Sequence, residues 1–403
     1  MGGQAGTLTD GRQDYNVRVF SQRTSYSFAK NPLALALDAR RKQRLEILDL
    51  TESNPTRVGF AYPEAAILKA LGTPRSLVYQ PEAFGLKSAR EAVAAYYRER
   101  GKEVETRQIV LTASTSEAYS FLFKLLADPD DQVLIPQPSY PLFDFLARLN
   151  SVRTAQYPLV YDGSWRLDRS ALTASLDSRT RAIVVVSPNN PTGSRLEHDD
   201  WQWLADLCAD RQAPLIWDEV FHDYPLENEG QVFNPLHRPD VPAFLLNGLS
   251  KTAGLPQLKL AWIIVTGPEA FRRAALERLE IVADTFLSVG TPVQHALSGL
   301  LALRFSIQKE IRARLLENLA ALRRTLAGSA AEVLPIEAGW CAVVRLPRVR
   351  SEDQWVVDLL EHSGTLIHPG YFYDFQEEPF GVLSLLPLPS VFERGVKALT
   401  YLL

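Results

Sequence analysis

The stretch FLLNGLSKTAGLPQLKLAWIIV, residues 244–265, places a polar turn with two lysines, Lys251 and Lys259, between two apolar runs. The runs FLLN and WIIV at its two ends have the length and composition of buried strands. Four further runs of this kind occur upstream: IVLT (109–112), VLIP (133–136), AIVVV (182–186) and PLIW (214–217). The stretch therefore predicts two strands of a larger sheet, with the lysines between them.

Segments of helical periodicity separate these runs, among them residues 86–100, 116–128 and 199–211. Strands that alternate with helices of this length indicate crossover units and a mostly parallel sheet covered on both faces. We therefore predict an α/β three-layer sandwich over residues 56–290.

The pattern changes after residue 290. A long helical stretch (291–326) leads into a shorter mixed region, with candidate strands at 341–346, 365–368 and 381–386 and candidate helices near 352–362 and 390–402. This mixture of short strands and helices predicts a smaller α+β domain. The first 55 residues are weakly patterned and are expected to pack onto a domain, so residues 1–55 and 291–403 are assigned together to the small one.

Charge and composition argue against several classes of protein. The chain has 403 residues and a net charge of −4 with interspersed charges, which argues against nucleic-acid or anionic-membrane partners. Cys208 and Cys341 cannot form a disulfide framework and show no metal-ligand spacing. Because no apolar run of about 18 residues and no signal-peptide core occurs, a cytoplasmic enzyme without a metal or a membrane span is expected.

Polar residues follow the predicted strands, at the edge where ligands of such sheets bind. Ser114, Thr115 and Ser116 come after IVLT at the start of a predicted helix, where N–H groups and hydroxyls form an anion site. Helix capping is the simpler interpretation of each of them alone.

Four other strands also end in polar or aromatic residues. Tyr140 follows VLIP, Asn190 stands in the turn after AIVVV, Asp218 directly follows PLIW, and Lys251 follows FLLN. Each alone could be a packing, turn or capping residue. Together with the anion site they suit a phosphorylated aromatic aldehyde: its pyridinium nitrogen needs a carboxylate, its ring an aromatic face, and its aldehyde an amine.

With these residues in place, the chain resembles the class I/II aminotransferases, which are fold type I pyridoxal-phosphate enzymes. The matching segments stand in family order: YQPEAFG (79–85), LTASTSEA (111–118), PQPSYPLF (136–143), SPNNPTG (187–193), WDEVF (217–221), LSKTAGLPQLKLAW (249–262) and HPGYFYDF (368–375). The resemblance implies the fold of the pyridoxal-phosphate-dependent transferases and pyridoxal 5′-phosphate as cofactor.

The resemblance also implies roles for single residues. Lys251 resembles the lysine that binds the cofactor's aldehyde and later moves protons, which requires a lowered pKa. Asp218 resembles the carboxylate that keeps the pyridine nitrogen protonated. Asn190 would donate to the ring's phenolic oxygen, and Tyr140 would stack on the ring.

The phosphate is expected at a group of hydroxyls and one cation: Ser114, Thr115, Ser116, Ser250 and Lys259. By the same resemblance, Tyr79 would reach the phosphate of a neighbouring subunit. The resemblance thus implies a homodimer with shared active sites.

Several positions depart from the family pattern. Gly248 stands where the family usually has a serine, and Lys259 replaces an arginine, which keeps the charge without the bidentate fork. Phe221 replaces a tyrosine that donates to the phenolic oxygen, and the sequence leaves open whether Tyr224 compensates.

Val382, in FGVLSLLP (380–387), stands where the family carries the arginine that clamps the substrate α-carboxylate. Either another cation supplies the clamp, with Arg57 and Arg345 as candidates, or the amino donor has no α-carboxylate in the usual place. Both arginines could instead be ordinary surface charges.

The expected reaction is ping-pong transfer of an amino group from an amino donor to a keto acid. A lyase or decarboxylase acting on an amino-acid-like substrate is the alternative, because the cofactor stabilises any carbanion at the carbon that bears the amine. A regulator with an aminotransferase-like sensor domain is disfavoured, since the first 55 residues show no helix-turn-helix signal. His222 and His368, the histidines near the expected pocket, are interpreted as structural.

Overall fold

The computed structural model describes residues 19–227, 233–377 and 379–403. In chain order its strands are β1 Leu48–Asp49, β2 Ile109–Thr112, β3 Gln132–Gln137, β4 Arg153–Tyr161, β5 Trp165–Leu167, β6 Thr180–Val186, β7 Leu215–Asp218, β8 Ala243–Gly248, β9 Ala261–Thr266, β10 Glu332–Val333, β11 Cys341–Arg345, β12 Thr365–Leu366, β13 His368–Pro369 and β14 Phe380–Ser384. Its α-helices are α1 Pro32–Lys42, α2 Glu64–Leu71, α3 Lys87–Arg98, α4 Thr115–Leu126, α5 Phe143–Leu149, α6 Arg169–Ser175, α7 His198–Arg211, α8 Leu249–Thr252, α9 Glu269–Phe286, α10 Thr291–Leu326, α11 Glu352–Ser363 and α12 Pro389–Thr400.

A central sheet of eight strands has the order β2-β9-β8-β7-β6-β3-β4-β5. The strands β8, β7, β6, β3 and β4 are parallel, whereas β9 is antiparallel to both of its neighbours and β5 is antiparallel to β4. The prediction of a mostly parallel α/β sheet is confirmed, and all six predicted strands lie in it. The sequence analysis did not assign β4 and β5, because β4 is half-exposed and its apolar residues are interrupted by Pro158.

The two faces of the central sheet are both covered by helices. Successive residues of a strand point to opposite faces, so Ile183 and Val185 of β6 join the core beneath α3, α7 and the start of α10. Val184 and Val186 join a second core beneath α4, α5 and α9. The chain therefore forms the predicted three layers.

A smaller antiparallel sheet of the order β10-β11-β14-β13 follows in the chain. The strand β1 pairs in parallel with β12, and α1 packs on α11, so residues from the first 55 contribute to this smaller unit. The predicted strand at 365–368 is two short strands, β12 and β13, that belong to different sheets.

The long helix α10 belongs to both units. Its first turns, including Leu297 and Leu300, pack in the core of the large unit. Its later turns, including Ile311 and Leu322, pack in the core of the small one. The helix α10 thus contributes to both cores, and the division of the chain between residues 290 and 291 stays a prediction.

In the described parts of the chain, no single helix is long and apolar enough to cross a membrane. Among the described helices, the pair α9 and α10, which meet at a bend of 119°, has a membrane span's length and apolar composition only when the two are taken together.

Candidate active site

A cavity of about 510 Å³ lies between the carboxyl ends of the central strands and the small sheet. This volume suits a small-molecule site. Of the residues assigned to the cofactor from the sequence, all but Tyr79 line it: Ser114, Thr115, Ser116, Tyr140, Asn190, Asp218, Ser250, Lys251 and Lys259.

Lys251 lies in the short helix α8, in the connection between β8 and β9. Its Nζ is 4.7 Å from the ring centroid of Trp340 and 5.6 Å from that of Phe221. Within the described chain this amine has no hydrogen bond or salt bridge. Burial lowers the pKa of the Lys251 amine, because the charged form loses its hydration. The site thus favours a neutral, nucleophilic amine.

Asp218 ends β7 and is 7% exposed. Its Oδ1 accepts a hydrogen bond of 3.0 Å from the backbone N–H of Val220, and its Oδ2 accepts one of 3.0 Å from the hydroxyl of Tyr119. Burial raises the pKa of Asp218 to about 6, against these hydrogen bonds and the nearby Lys251, which lower it. A cation bound beside this carboxylate would lower its pKa again.

Tyr119 is a functional candidate that the sequence reasoning missed. It lies on α4, four residues after Thr115, and this spacing places both residues on the same face of the helix. The helical spacing was the available signal, although only the fold shows that the hydroxyl meets Asp218.

The amino end of α4 forms one end of the cavity. Ser114 is the N-cap of this helix, and its Oγ accepts a hydrogen bond of 3.2 Å from the N–H of Glu117. The capping interpretation thus applies to Ser114. Thr115 and Ser116 occupy the first turn and also face the cavity, so the helix N-terminus presents hydroxyls and a partial positive charge to a ligand.

Gly248, at the position where the family resemblance implies a serine, lines the cavity. A β-carbon on Gly248 would lie 2.7 Å from Cβ and 2.9 Å from Cα of Ala261 on the paired strand β9. The side chain and backbone of Ala261 thus occupy the space that the β-carbon of any larger residue would need.

Tyr224 does not replace the hydroxyl that is missing at Phe221. Phe221 lines the cavity, whereas Tyr224 is fully buried outside its lining. The Tyr224 hydroxyl donates a hydrogen bond of 2.7 Å to the carbonyl oxygen of Lys251. It therefore fixes the backbone that carries the lysine.

Val382 lines the cavity at the small-sheet wall, where the sequence comparison placed it. Neither arginine proposed as a substitute clamp lies in the lining. Arg345 belongs to β11 and lies four residues after Cys341 of the cavity wall. It forms an ion pair of 2.9 Å with Glu332. Arg57 is exposed in a 3-10 helix, Pro55–Arg57. In the described chain neither arginine contributes to the cavity wall, and a carboxylate clamp at Arg57 or Arg345 stays a prediction that this geometry does not support.

The two histidines near the site have different positions. His368 lines the cavity, whereas His222 lies outside the lining with Nδ1 4.0 Å from Oε2 of the buried Glu219. The structural role expected of both histidines stays a prediction. Other wall residues that the sequence did not reveal also come from the small unit: Thr51, Ser53, Trp340, Cys341, Tyr373 and Ser384. They were missed because they lie far from the central strands in sequence.

Tyr79 is 78% exposed and lies apart from the cavity within its own chain. Its expected contact with a neighbouring subunit stays a prediction.

Comparisons with known proteins agree with this geometry. The sequence model of the family described as aminotransferase class I and II matches residues 46–383. The chain is 26% identical over 362 residues to the glutamate-pyruvate aminotransferase AlaA of Haemophilus influenzae, a match that covers 88% of this chain and 90% of that protein. It is 29% identical over 362 residues to an alanine aminotransferase of Mycobacterium bovis, with 85% and 82% covered.

A solved structure shares the fold. The alanine aminotransferase from Pyrococcus furiosus superposes with a TM-score of 0.86 at 23% identity, over 95% of this chain and 99% of that one. The family match spans both the large and the small unit. The chain therefore belongs to the class I and II aminotransferases.

Proposed function

We propose that this aminotransferase binds pyridoxal 5′-phosphate through Lys251 and uses it to move an amino group from an amino donor to a keto acid. The observation that carries the proposal is the pairing of two groups in one cavity. The amine of Lys251 has a lowered pKa and no polar partner in the described residues, and the carboxylate of Asp218 has a raised pKa because it is buried.

The residues that line the cavity fit the cofactor. The hydroxyls of Thr115, Ser116 and Ser250, together with the ammonium of Lys259, provide donors and charge for the phosphate at the start of α4. Ser114 caps α4 and contributes to the orientation of its N-terminal turn.

The remaining contacts suit the ring. Asp218 would pair with the pyridinium nitrogen, and that positive charge would return the pKa of its carboxyl toward the ordinary range. Asn190 would donate to the phenolic oxygen, and Tyr140 would stack on one ring face, since both line the cavity.

When bound, this cofactor supplies an electron sink that stabilises negative charge on the carbon bearing the amino group. Lys251 supplies the proton transfers, because an amine with a lowered pKa both accepts a proton from that carbon and returns it. The rings of Trp340 and Phe221 lie beside the amine and contribute to the burial that lowers its pKa.

Membership of the family supports transamination over the lyase alternative. Two relatives carry the names glutamate-pyruvate aminotransferase and alanine aminotransferase. We therefore propose alanine and glutamate as the first amino donors to test, with pyruvate and the keto acid of glutamate as acceptors.

We also propose a homodimer in which Tyr79 of one subunit reaches the phosphate site of the other. The exposed side chain of Tyr79 and its neighbours Leu77 and Val78, 88% and 61% exposed, support a subunit contact in this segment. Alanine in place of Tyr79 should weaken cofactor retention, and sedimentation would report the subunit number. A cytoplasmic location stays a prediction, in keeping with two free thiols, Cys208 and Cys341.

The decisive experiment is a half-reaction. The purified protein, loaded with pyridoxal 5′-phosphate, is mixed with single amino donors while its visible absorption band is followed. A donor that abolishes the band, and a keto acid that restores it, establish transamination. Release of ammonia with the band retained would instead indicate a lyase.

Two substitutions test the attachment site. Lys251→Ala should abolish the visible band. Lys309→Ala removes an exposed lysine of α10 outside the cavity and should leave the band unchanged. A normal band in the Lys251→Ala protein would overturn the proposal.

A further inference from the structure

The small-sheet wall of the cavity contains no cation among the described residues. The cationic side chains in the lining, Lys251 and Lys259, both come from the connection between β8 and β9. A keto acid nevertheless brings a carboxylate into the cavity, and a buried carboxylate without hydrogen-bond donors is costly. Some group on the opposite wall must therefore receive it.

The register of the small sheet identifies which side chains surround Val382. On β14, Val382 lies opposite Val343 of β11 and opposite His368 of β13. Residues directly opposite in a sheet share a face, and residues two apart on one strand do so as well. His368 and Ser384 therefore flank Val382 on the face that lines the cavity.

The imidazole of His368 is held through one of its nitrogens. Its Nδ1 lies 3.2 Å from the hydroxyl oxygen of Tyr373, a residue of the same cavity wall. Nε2 has no hydrogen-bond partner in residues 19–227, 233–377 and 379–403. The second nitrogen is thus available to a ligand.

Ser384 has a similar arrangement. Its Oγ accepts a hydrogen bond of 3.2 Å from the N–H of Leu386, while its hydroxyl hydrogen has no acceptor in the described part of the chain. Because Ser384 lines the cavity, this hydrogen can be donated to a ligand.

We propose that His368 and Ser384 bind the substrate carboxylate on either side of Val382, in place of the arginine that the family resemblance implies there. Nε2 of His368 and Oγ of Ser384 each donate one hydrogen bond, and Tyr373 acts as a positioning residue that fixes the imidazole. This inference rests on the proposed function and names its substrate class as acids with a carboxylate next to the reacting carbon.

Other candidates for this role are engaged elsewhere. Arg345 is paired with Glu332, and Lys259 faces the cavity from the cofactor side. Thr51 also lines the cavity, but its hydroxyl donates a hydrogen bond of 2.6 Å to Oδ1 of Asp49. His368 and Ser384 therefore offer donors directly beside Val382, the position where the arginine is expected.

Calorimetric binding of propanoate to the cofactor-loaded protein tests the proposal, with propanamide as an uncharged probe of nearly the same shape. The wild-type protein should prefer propanoate. His368→Phe should raise the Kd for propanoate about tenfold, the usual effect of losing one hydrogen bond to a charged group, and leave the Kd for propanamide nearly unchanged. Ser384→Ala should raise the propanoate Kd several-fold.

Two further variants control the result. His362→Phe replaces an exposed histidine of α11 and should leave both Kd values unchanged. Val382→Arg combined with His368→Phe restores a cation at the wall and should recover propanoate binding. For Tyr373→Phe, a rise in KM for keto acids with kcat nearly unchanged would mark a positioning role.

The visible band is recorded for every variant before propanoate is added, so failure of cofactor attachment is separated from failure of carboxylate binding. An unchanged propanoate Kd in a His368→Phe protein that retains the band would overturn the proposal. If the His368→Phe protein loses the band, His368→Asn and Ser384→Ala are used in its place. An unchanged propanoate Kd in both of these proteins would likewise overturn the proposal. Equal wild-type affinity for propanoate and propanamide would also overturn it.

Discussion

The hydroxyl of Tyr119 donates a hydrogen bond of 3.0 Å to Oδ2 of Asp218, although the two residues lie 99 positions apart in the chain. Tyr119 belongs to α4, and Asp218 ends β7. The aromatic hydroxyl thus stabilises the ionised form of a carboxylate whose pKa is raised by burial.

This relationship predicts a pH dependence of stability in the cofactor-free protein. The pKa of Asp218 is about 6 in the folded chain, whereas its ordinary value, which applies to the unfolded chain, is 3.8. Between these two pH values the native state therefore binds more protons than the unfolded state. The contribution of Asp218 to the free energy of unfolding should therefore fall by about 3 kcal/mol as the pH rises through this interval. Urea unfolding at a series of pH values would measure it.

Asp218→Asn serves as the control, since the difference between its stability profile and that of the wild type isolates the carboxyl. Tyr119→Phe should shift the fall to higher pH, because the lost hydrogen bond had stabilised the carboxylate. Parallel profiles for the wild type and Asp218→Asn would contradict the assigned pKa.

Gly248→Ser should destabilise the protein by about 1–3 kcal/mol, because its β-carbon would overlap Ala261. Adding Ala261→Gly should recover part of this loss. Gly299→Ala is the matched control: Gly299 lies inside α10, its added β-carbon would lie 3.6 Å from Cβ of Ala70, and it should gain about 1 kcal/mol. The denaturant midpoints of these three variants are compared with that of the wild type. An unchanged midpoint for Gly248→Ser would show that the two strands move apart to accept the side chain.

Tyr224→Phe should cost about 1 kcal/mol of stability through its lost hydrogen bond to the Lys251 carbonyl, which still accepts one of 3.1 Å from the N–H of Gly254. The pH midpoint of the visible band should stay unchanged, because the hydroxyl does not reach the cavity.

Phe221→Tyr is the contrasting substitution, since Phe221 does line the cavity. A hydroxyl there would donate to the phenolic oxygen of the cofactor and lower the midpoint of the band. If the pH midpoint of the band shifted in the Tyr224→Phe protein but not in the Phe221→Tyr protein, Tyr224 would be the residue that donates this hydrogen bond.

Glu219 presents a separate test of the core. Although adjacent to Asp218, it lies outside the cavity and accepts hydrogen bonds of 2.9 Å from Asn234 Nδ2 and from the hydroxyl of Tyr97. Asn234→Ala should destabilise the protein by about 2 kcal/mol, because the buried carboxylate loses a donor. Gln257→Ala, at an exposed position, should change the unfolding midpoint little; equal effects would contradict a stabilising role for this network.

The sequence by itself determined most of the large unit and brought together the residues proposed to bind the cofactor. Six apolar runs became central strands, and residues 291–326 formed one helix with those bounds. Asn190, Asp218 and Lys251 were predictable because each closely follows a strand, and the carboxyl ends of parallel strands meet at one edge. In these cases local pattern and fold agree.

Only the tertiary structure decided the substrate side. That Val382 stands beside His368, that Tyr119 meets Asp218, and that the Tyr224 hydroxyl binds a backbone carbonyl all depend on which distant segments become neighbours. Sequence periodicity fixes the face on which a side chain lies, but the register between strands is set by the packing of the whole sheet. The contacts proposed to select a substrate therefore became visible only in the folded chain.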